Sequence, residues 1–552
     1  MRLKRLCVVA ILGLMVLSST VFAANVEDAL TPCPEDSIYT VLKLNDTGNF
    51  LKWVFSSENI ETFMPLILTQ EDSNEIIGAI EMISMFAENT PLKSIAFVGG
   101  IHGNKTPEPF FQMALTVGEG STSIVRRIED GSATPVDIAK LLLGNDNPLA
   151  PLVESMIKVE KSSDNILRID NEVFVKAYDG LVLVALSEDG IKAAMNALDH
   201  ADMRFFETKP RKFSTQDFIL LHTDAKTITL LDDDEETVEA QKELEKYFDK
   251  PIHVEFAFER IPDKFTILTA VNLREALKKE YADKLFSKTE ALTPVKGGYM
   301  TLTGEKSPLL AFGGYLDIAS VRNDPDLLPF WKMGAMQLKN RFGIAEDDLV
   351  KFLDGPFSIN VNDSVVFEGF NIPAVYISQT GKEGSAANIY NTLAKSRHFH
   401  KVQEGVLQID SSLSPVACLI QDKGETLGVN FAELANITKT PELTPNLQVL
   451  ADREAISALW LDFAGIQTWV KDTGVLLMLE PIAKFMGYGE IIEAVKDIIN
   501  AKLSVPSMSI ACESIENFRT EFNITEVKPE EGLMSKVVKI ARKYIKTDKE
   551  SD

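Results

Sequence analysis

His398 and His400, separated only by Phe399, are the closest pair of metal-ligating imidazoles among the six histidines of this chain. On a strand they project to one face, as two ligands of a single ion must. Arg397 adjoins them, however, and no cysteine or carboxylate stands at a recognisable ligand spacing. The trio reads better as a polar strand face with Phe399 turned to a core. Asp232-Asp233-Asp234-Glu235-Glu236 could attract a divalent cation. Its plainer place is the start of a helix, where each well-set negative charge gains about 0.3–1 kcal/mol. Glu239, Lys242, Glu243, Glu245 and Lys246 continue that helix as a solvated face. No H-E-x-x-H and no EF-hand loop occurs.

Nucleophilic chemistry finds no better footing. There is no G-x-S-x-G elbow and no C-x-x-C pair. Ser155-Met156-Ile157-Lys158 matches S-x-x-K and Ser163-Asp164-Asn165 matches S-D-N. In penicillin-interacting enzymes those motifs come from separated elements that converge on one serine. Here they nearly abut, and no K-T-G follows, so the match is incidental. Gly99-Gly100-Ile101-His102-Gly103 is glycine-rich and follows a strand. It leads through Asn104-Lys105-Thr106-Pro107 into another strand and not to a helix N-terminus, so no helix dipole meets an anion. It reads as a long hairpin loop with His102 exposed. On these grounds no catalytic residue, cofactor-binding residue or metal ligand is assigned, and no cofactor is expected.

The elements that carry these residues follow a recurring order of strand, helical stretch, strand, turn, strand. The first copy has strand Ser37–Leu44, helical spacing of Phe50, Leu51, Val54 and Phe55, then strands Lys93–Val98 and Phe110–Val117. The second has strand Asp217–His222, a helix from Glu235 to Phe248, strand Ile252–Arg260, a Pro262-Asp263 turn and strand Lys264–Asn272. The third has strand Ala455–Phe463, helical Ile466–Asn500, and strands Ser507–Glu513 and Phe518–Ile524. A hairpin with a D-G turn, Glu172–Ala177 to Leu181–Leu186, precedes a helix Asp189–Leu198. Its counterpart is Pro415–Ile420 with Thr426–Val429, followed by a helix Ala432–Ile437.

Period-two alternation predicts which strand faces are packed. Ile252, Val254, Phe256 and Phe258 are expected inside, with His253, Glu255, Ala257 and Glu259 outside. Met508, Ile510 and Cys512 are likewise expected inside, with Ser507, Ser509, Ala511 and Glu513 outside. The fold class is therefore α+β, with repeated strand-helix-strand-strand modules forming antiparallel sheets and helices on one face. Modules are placed at 24–205, 206–442 and 443–530, the last two able to share a sheet. Lys209-Pro210-Arg211-Lys212 and Pro441–Pro445 mark the boundaries.

The N-terminus supplies an address. Arg2, Lys4 and Arg5 precede the apolar run Leu6–Leu17, and Val21-Phe22-Ala23 offers a cleavage site before Ala24. That order is a cleavable signal peptide at 1–23, too short in its apolar core to span a bilayer as a helix. It places the mature chain in the periplasm or outside the cell. Cys7 leaves with it, and Cys33, Cys418 and Cys512 then allow one disulfide and a spare thiol in three pairings. Cys418 and Cys512 lie on apolar strand faces as core thiols; Cys33, between Pro32 and Pro34, is the most exposed. A net charge of −25 suits solubility and excludes nucleic acid as a partner.

Gly343-Ile344, Asp347-Asp348-Leu349 and Phe352-Leu353-Asp354-Gly355-Pro356-Phe357, followed by a strand and a helical Ser385–Leu393, form a distinctive run. It resembles a pattern in exported bacterial proteins filed as domains of unknown function. Pro34-Glu35-Asp36-Ser37 before a strand is similar in kind. The resemblance implies an envelope location and carries no catalytic residues with it.

The C-terminal segment 531–552 is basic and amphipathic. Leu533, Met534, Val537, Val538, Ala541 and Ile545 make an apolar stripe beside Lys536, Lys539, Arg542, Lys543 and Lys546. A helix there can complement its own dipole and the acidic body, or lie on a membrane surface. The expectation as a whole is an exported, non-catalytic envelope protein that binds or scaffolds an envelope protein or a hydrophobic ligand. The alternatives are an exported hydrolase whose site is assembled from distant residues, and a periplasmic carrier of lipid or another hydrophobic ligand.

Overall fold

The computed structural model describes residues 25–34, 36–45, 94–103, 107–116, 121–143, 157–209, 211–213, 217–230, 235–261, 263–289, 292–318, 322, 325, 327–367, 369–414, 416–485, 489–503 and 505–525. The expected signal peptide 1–23, the expected helical stretch after Leu44, Ser155, Asp232 to Asp234 and the basic segment 531–552 lie outside the described residues. The chain divides into two units. One comprises Met1–Glu259, Ile267–Ser287 and Val537–Asp552, the other Arg260–Thr266 and Lys288–Lys536.

The first unit is built on strands β1 (Ser37–Leu44), β2 (Ile95–His102), β3 (Glu108–Thr116), β4 (Val159–Lys161), β5 (Leu167–Ile169), β6 (Val173–Tyr178), β7 (Leu181–Ala185), β8 (Asp217–Thr223), and β9 (Ile252–Ile261), which ends in the second unit. Every pairing is antiparallel, in the order β9-β8-β1-β2-β3-β7-β6-β5-β4. The turn between β6 and β7 is the expected one: Asp179 and Gly180 both have positive φ, as a two-residue hairpin of this kind requires.

All five residues of β7 are buried, so both faces of this sheet are covered. Helices α1 (Thr122–Glu129) and α2 (Pro135–Leu143) stand with Leu44, Leu115, Val182 and Val184 on one side. Helix α3 (Glu188–Asp199) stands with Tyr39, Val41, Leu181 and Leu183 on the other. Ser187 caps α3 by accepting from the Gly190 amide. Helix α4 (Glu235–Tyr247) matches its predicted start.

The second unit continues with β10 (Lys264–Val271, shared with the first unit), β11 (Val295–Lys296), β12 (Leu310–Leu316), β13 (Gly355–Phe367), β14 (Phe370–Thr380), β15 (Phe399–Gln403), β16 (Val406–Ile409), β17 (Cys418–Asp422), β18 (Thr426–Phe431), β19 (Glu454–Ala455), β20 (Ser457–Asp462), β21 (Ser507–Ser514) and β22 (Asn517–Asn523). Its main sheet is also antiparallel, in the order β15-β16-β17-β18-β14-β13-β12-β20-β21-β22. Helices α5 (Leu328–Phe342), α6 (Glu346–Leu353) and α7 (Ser385–Ala394) enclose one core with Leu407, Cys418, Ile420 and Leu427. Helix α8 (Pro445–Asp452) packs Leu447 and Leu450 against Trp460 and Ala511 in another.

Three expectations about local structure change. The glycine-rich run is not a loop: Gly99, Gly100, Ile101 and His102 belong to β2, and the turn begins only at Gly103. Residues 432–437 form successive turns and no helix, because Ala432 and Ile437 are both drawn fully into the core across too short a span to nucleate one. The single helical stretch 466–500 is three helices, α9 (Phe463–Thr473), α10 (Val475–Phe485) and α11 (Gly489–Asn500). Gly474, at φ 63°, ends the first of them.

The strand faces change more consequentially. On β21 the buried residues are Ser507, Ser509 and Ala511, while Met508, Ile510 and Cys512 are half-buried. Trp460 is paired in register with Ser509, and Ala458 with Ala511, so the small side chains are what let the indole sit on the sheet beneath α8. On β9 the reversal is the same: Glu255 and Ala257 are buried, while Ile252, Val254, Phe256 and Phe258 are only half-buried.

Candidate functional site

The reversed face of β9 leads to the first unit's most chemically loaded cluster. Tyr39 on β1 is opposite His222 on β8, and His222 is opposite His253 on β9, so three adjacent strands set one row of polar rings. Tyr39 stacks on His222 with centroids 4.3 Å apart and planes 11° from parallel. The two imidazoles meet Nδ1 to Nδ1 at 3.0 Å, an arrangement in which one nitrogen donates and the other accepts a single shared proton. The His253 backbone amide donates to Asn272 Oδ1 at 2.7 Å, which fixes this end of the row. On the other side Gly100 of β2 is opposite Tyr39, and a Cβ there would stand 2.1 Å from the Ile38 carbonyl oxygen. Only glycine permits that approach.

Lys209 completes the cluster. The chain turns through Phe205–Thr208, tied to the N-terminal segment by the Phe205 amide donating to the Leu30 carbonyl. That turn lays Lys209 Nζ 2.5 Å from the Tyr39 hydroxyl, 4.9 Å from the Tyr39 ring centroid and 6.0 Å from that of Phe205. Cys33 is packed against the same core.

Burial is the leading influence on each of these groups. It pushes the Cys33 thiol up to about 12 against the pull of Lys209. It pushes His222 down to about 3, helped by His253 and Lys209. It holds the Tyr39 phenol above its usual range, with Cys33 adding to the effect, and lowers both His253 and Lys209. Among the described residues no carboxylate lies within ion-pair distance of Lys209. Its neighbour Arg211 takes the nearby Glu255, at 3.4 Å, whose carboxylate also accepts from the Lys212 and Phe213 amides.

This arrangement suits recognition. A half-buried ammonium without a counter-charge, beside imidazoles that are neutral at ordinary pH, favours an anionic group. A thiol and an imidazole moved this far from neutrality are poorly placed as nucleophile and base.

The second unit holds a contrasting polar cluster. Asp363, at φ 46° beside a register shift between β13 and β14, accepts from the Glu305 amide, the Lys306 amide and the Tyr376 hydroxyl at 2.8–2.9 Å. Asn360 and Asn362 donate to the Thr303 carbonyl, and Asn362 also to that of Lys306. All of these bonds except that from Tyr376 clamp the segment 303–306, a role in holding the backbone.

The residues singled out by sequence are placed as follows. His398 sits in a turn before β15, 6.0 Å edge-on from Phe342, and His400 is exposed on the strand; Phe399 packs into the core. Asp410 is the acid near both. Among the described residues no set of three or more His, Cys, Asp or Glu side chains could hold a metal ion. Asp164 and Asn165 occupy a tight turn with left-handed φ values. His102 is half-buried against Phe110 and not exposed, because it lies on β2. Cys33, Cys418 and Cys512 are free thiols; Cys418 is buried, and Cys33 is half-buried where exposure was expected.

The row of Tyr39, His222 and His253 escaped the sequence reading because a helix and 31 positions separate the two histidines, and only the register of β8 on β9 joins them. The available signal was His253 at the first polar position of the alternating strand β9. Comparison of the chain with protein families, with curated proteins and with solved structures finds no match.

Proposed function

We propose that this chain is an exported protein of the bacterial cell envelope that works by binding, as a recognition or scaffolding component, and not by catalysis. The observation that carries the reading is Lys209: a half-buried ammonium bonded to the Tyr39 hydroxyl, with no carboxylate beside it among the described residues and an uncharged imidazole pair alongside. Such a group gains by meeting an anion on a partner or ligand. The signal-peptide pattern of 1–23 supports the compartment.

The test combines chemistry and address. Near neutral pH, a fluorophosphonate and an iodoacetamide probe should leave every serine and Cys33 without stoichiometric labelling, and N-terminal sequencing of the exported chain should begin at Ala24. Millimolar phosphate or acetate should raise the melting temperature of the parent and leave Lys209→Met unmoved. Stoichiometric labelling of one residue overturns the non-catalytic reading in favour of a hydrolase. Equal anion effects on parent and variant remove Lys209 from it.

A further inference from the structure

Helix α5 carries a face that no described residue of the second unit covers. Trp331, Ala335, Leu338 and Phe342 recur at helical spacing and pack into the core with Ile344, Leu349, Phe352 and Ile389. The side turned away from that core is apolar over the first turns of the helix, and exposed Gln337 and Asn340 follow on it toward the C-terminal end. Phe330 is 68% exposed, Met333 52% and Met336 57%, successive at three-residue intervals, with Leu327 at 45% just before the helix. At about 100° per residue, Met333 points opposite the buried face, with Phe330 and Met336 on either side of it. Lys332 and Lys339 fall on one shoulder of this stripe and Arg341 on the other, and all three are exposed. The helix Leu328–Phe342 contains no aspartate or glutamate, although the chain as a whole has 81 acidic residues against 56 Lys and Arg.

We infer that the outward face of α5 docks on an anionic lipid surface. Apolar side chains on the crest with cations on both shoulders are what an interfacial helix needs: the first enter the acyl boundary, the second meet phosphate headgroups. Phenylalanine, leucine and methionine on a convex helix insert into lipid without requiring a shaped groove. A second copy of this chain is disfavoured as the occupant, because a twofold contact through α5 gathers Lys332, Lys339 and Arg341 of both copies in one seam with no acid on the helix to offset them. The acid that touches α5, Glu346, accepts from Trp331 on the packed side and lies 3.7 Å from Arg322. The acidic remainder of the chain is repelled by the same bilayer, but salt screens that repulsion beyond about 8–10 Å while α5 lies in contact. The inference concerns a different unit from the Lys209 cluster and stands independently of it.

The experiment is vesicle co-sedimentation of the chain from Ala24 onward, which retains every described residue. Vesicles of equal parts phosphatidylglycerol and phosphatidylcholine should bind it at about 0.15 M salt, and pure phosphatidylcholine should not. Phe330→Ser/Met333→Ser/Met336→Ser and Lys332→Glu/Lys339→Glu/Arg341→Glu should each lower the bound fraction about tenfold or more. All six side chains are exposed or at the rim, so circular dichroism should match the parent. Lys539→Glu/Arg542→Glu/Lys543→Glu, in the basic C-terminal segment, should still bind. Absence of binding by the parent overturns the inference. So does binding that survives both α5 variants, or that only the C-terminal variant loses. A concentration-dependent dimer abolished by the α5 variants, with no vesicle binding, assigns the face to a second copy instead.

Discussion

Two buried polar clusters, one in each unit, follow opposite rules. Around Asp363 every acceptor is matched: two backbone amides and the Tyr376 hydroxyl converge on one carboxylate, and Asn360 and Asn362 meet carbonyls of the same segment. Around Lys209 the count does not close. An ammonium is bonded to a phenol, two imidazoles share one proton, and no described carboxylate balances the cation. A polar group whose partners are all supplied by its own chain stabilises a loop. One left short by its own chain has capacity for something else, and that difference is what separates a staple from a candidate binding site.

The largest expected effect falls on the staple. Asp363→Ala orphans the buried Tyr376 hydroxyl and two part-buried amides and places alanine in a left-handed conformation, so it should cost about 2–4 kcal/mol in urea unfolding. A loss under about 1 kcal/mol would mean that the cluster does not hold the 303–306 segment.

Next comes the pH dependence of the imidazole pair. His222 titrates at 6.5 when unfolded and near 3 when folded, so the unfolded chain binds the extra proton between those values. Its contribution is therefore fully present above pH 6.5 and is lost as pH falls toward about 3. Denaturation midpoints measured through that window should fall more steeply for the parent than for His222→Phe, which keeps a ring on Tyr39 but cannot titrate. Parallel curves would show that the folded pair accepts protons as readily as water-exposed histidine.

The smallest effect belongs to Lys209→Met. Removing a half-buried cation with no opposite charge among the described residues should change stability by less than about 1 kcal/mol, and a gain is as acceptable as a loss. A loss above about 2 kcal/mol would mean that Lys209 is satisfied as fully as Asp363, and the contrast between the clusters would disappear.

Much of the framework was legible in local pattern. Ser37–Leu44, the Asp179-Gly180 turn, the hairpin it closes and the helix beginning at Glu235 all stand where spacing and turn chemistry put them. These depend on neighbours a few residues apart. The Asp363 staple and the Tyr39–His222–His253 row were not legible, since each joins residues brought together only by strand register. Alternation also named the wrong packed face on β9 and β21. Period-two patterning says that two faces differ; it does not say which one receives the bulky neighbour. Trp460 takes the serine and alanine side of β21, and the segment Arg211 to Phe213 takes the Glu255 and Ala257 side of β9.

What the sequence by itself determined is the class of the protein: antiparallel strands interleaved with helices, because side-chain period and turn residues act over one or two turns of chain. What only the tertiary structure decided is the chemistry of its buried polar groups. A lysine, a tyrosine and two histidines far apart in the chain acquire their character from burial and from who faces whom across three strands. That information lies in long-range register, which no local spacing encodes.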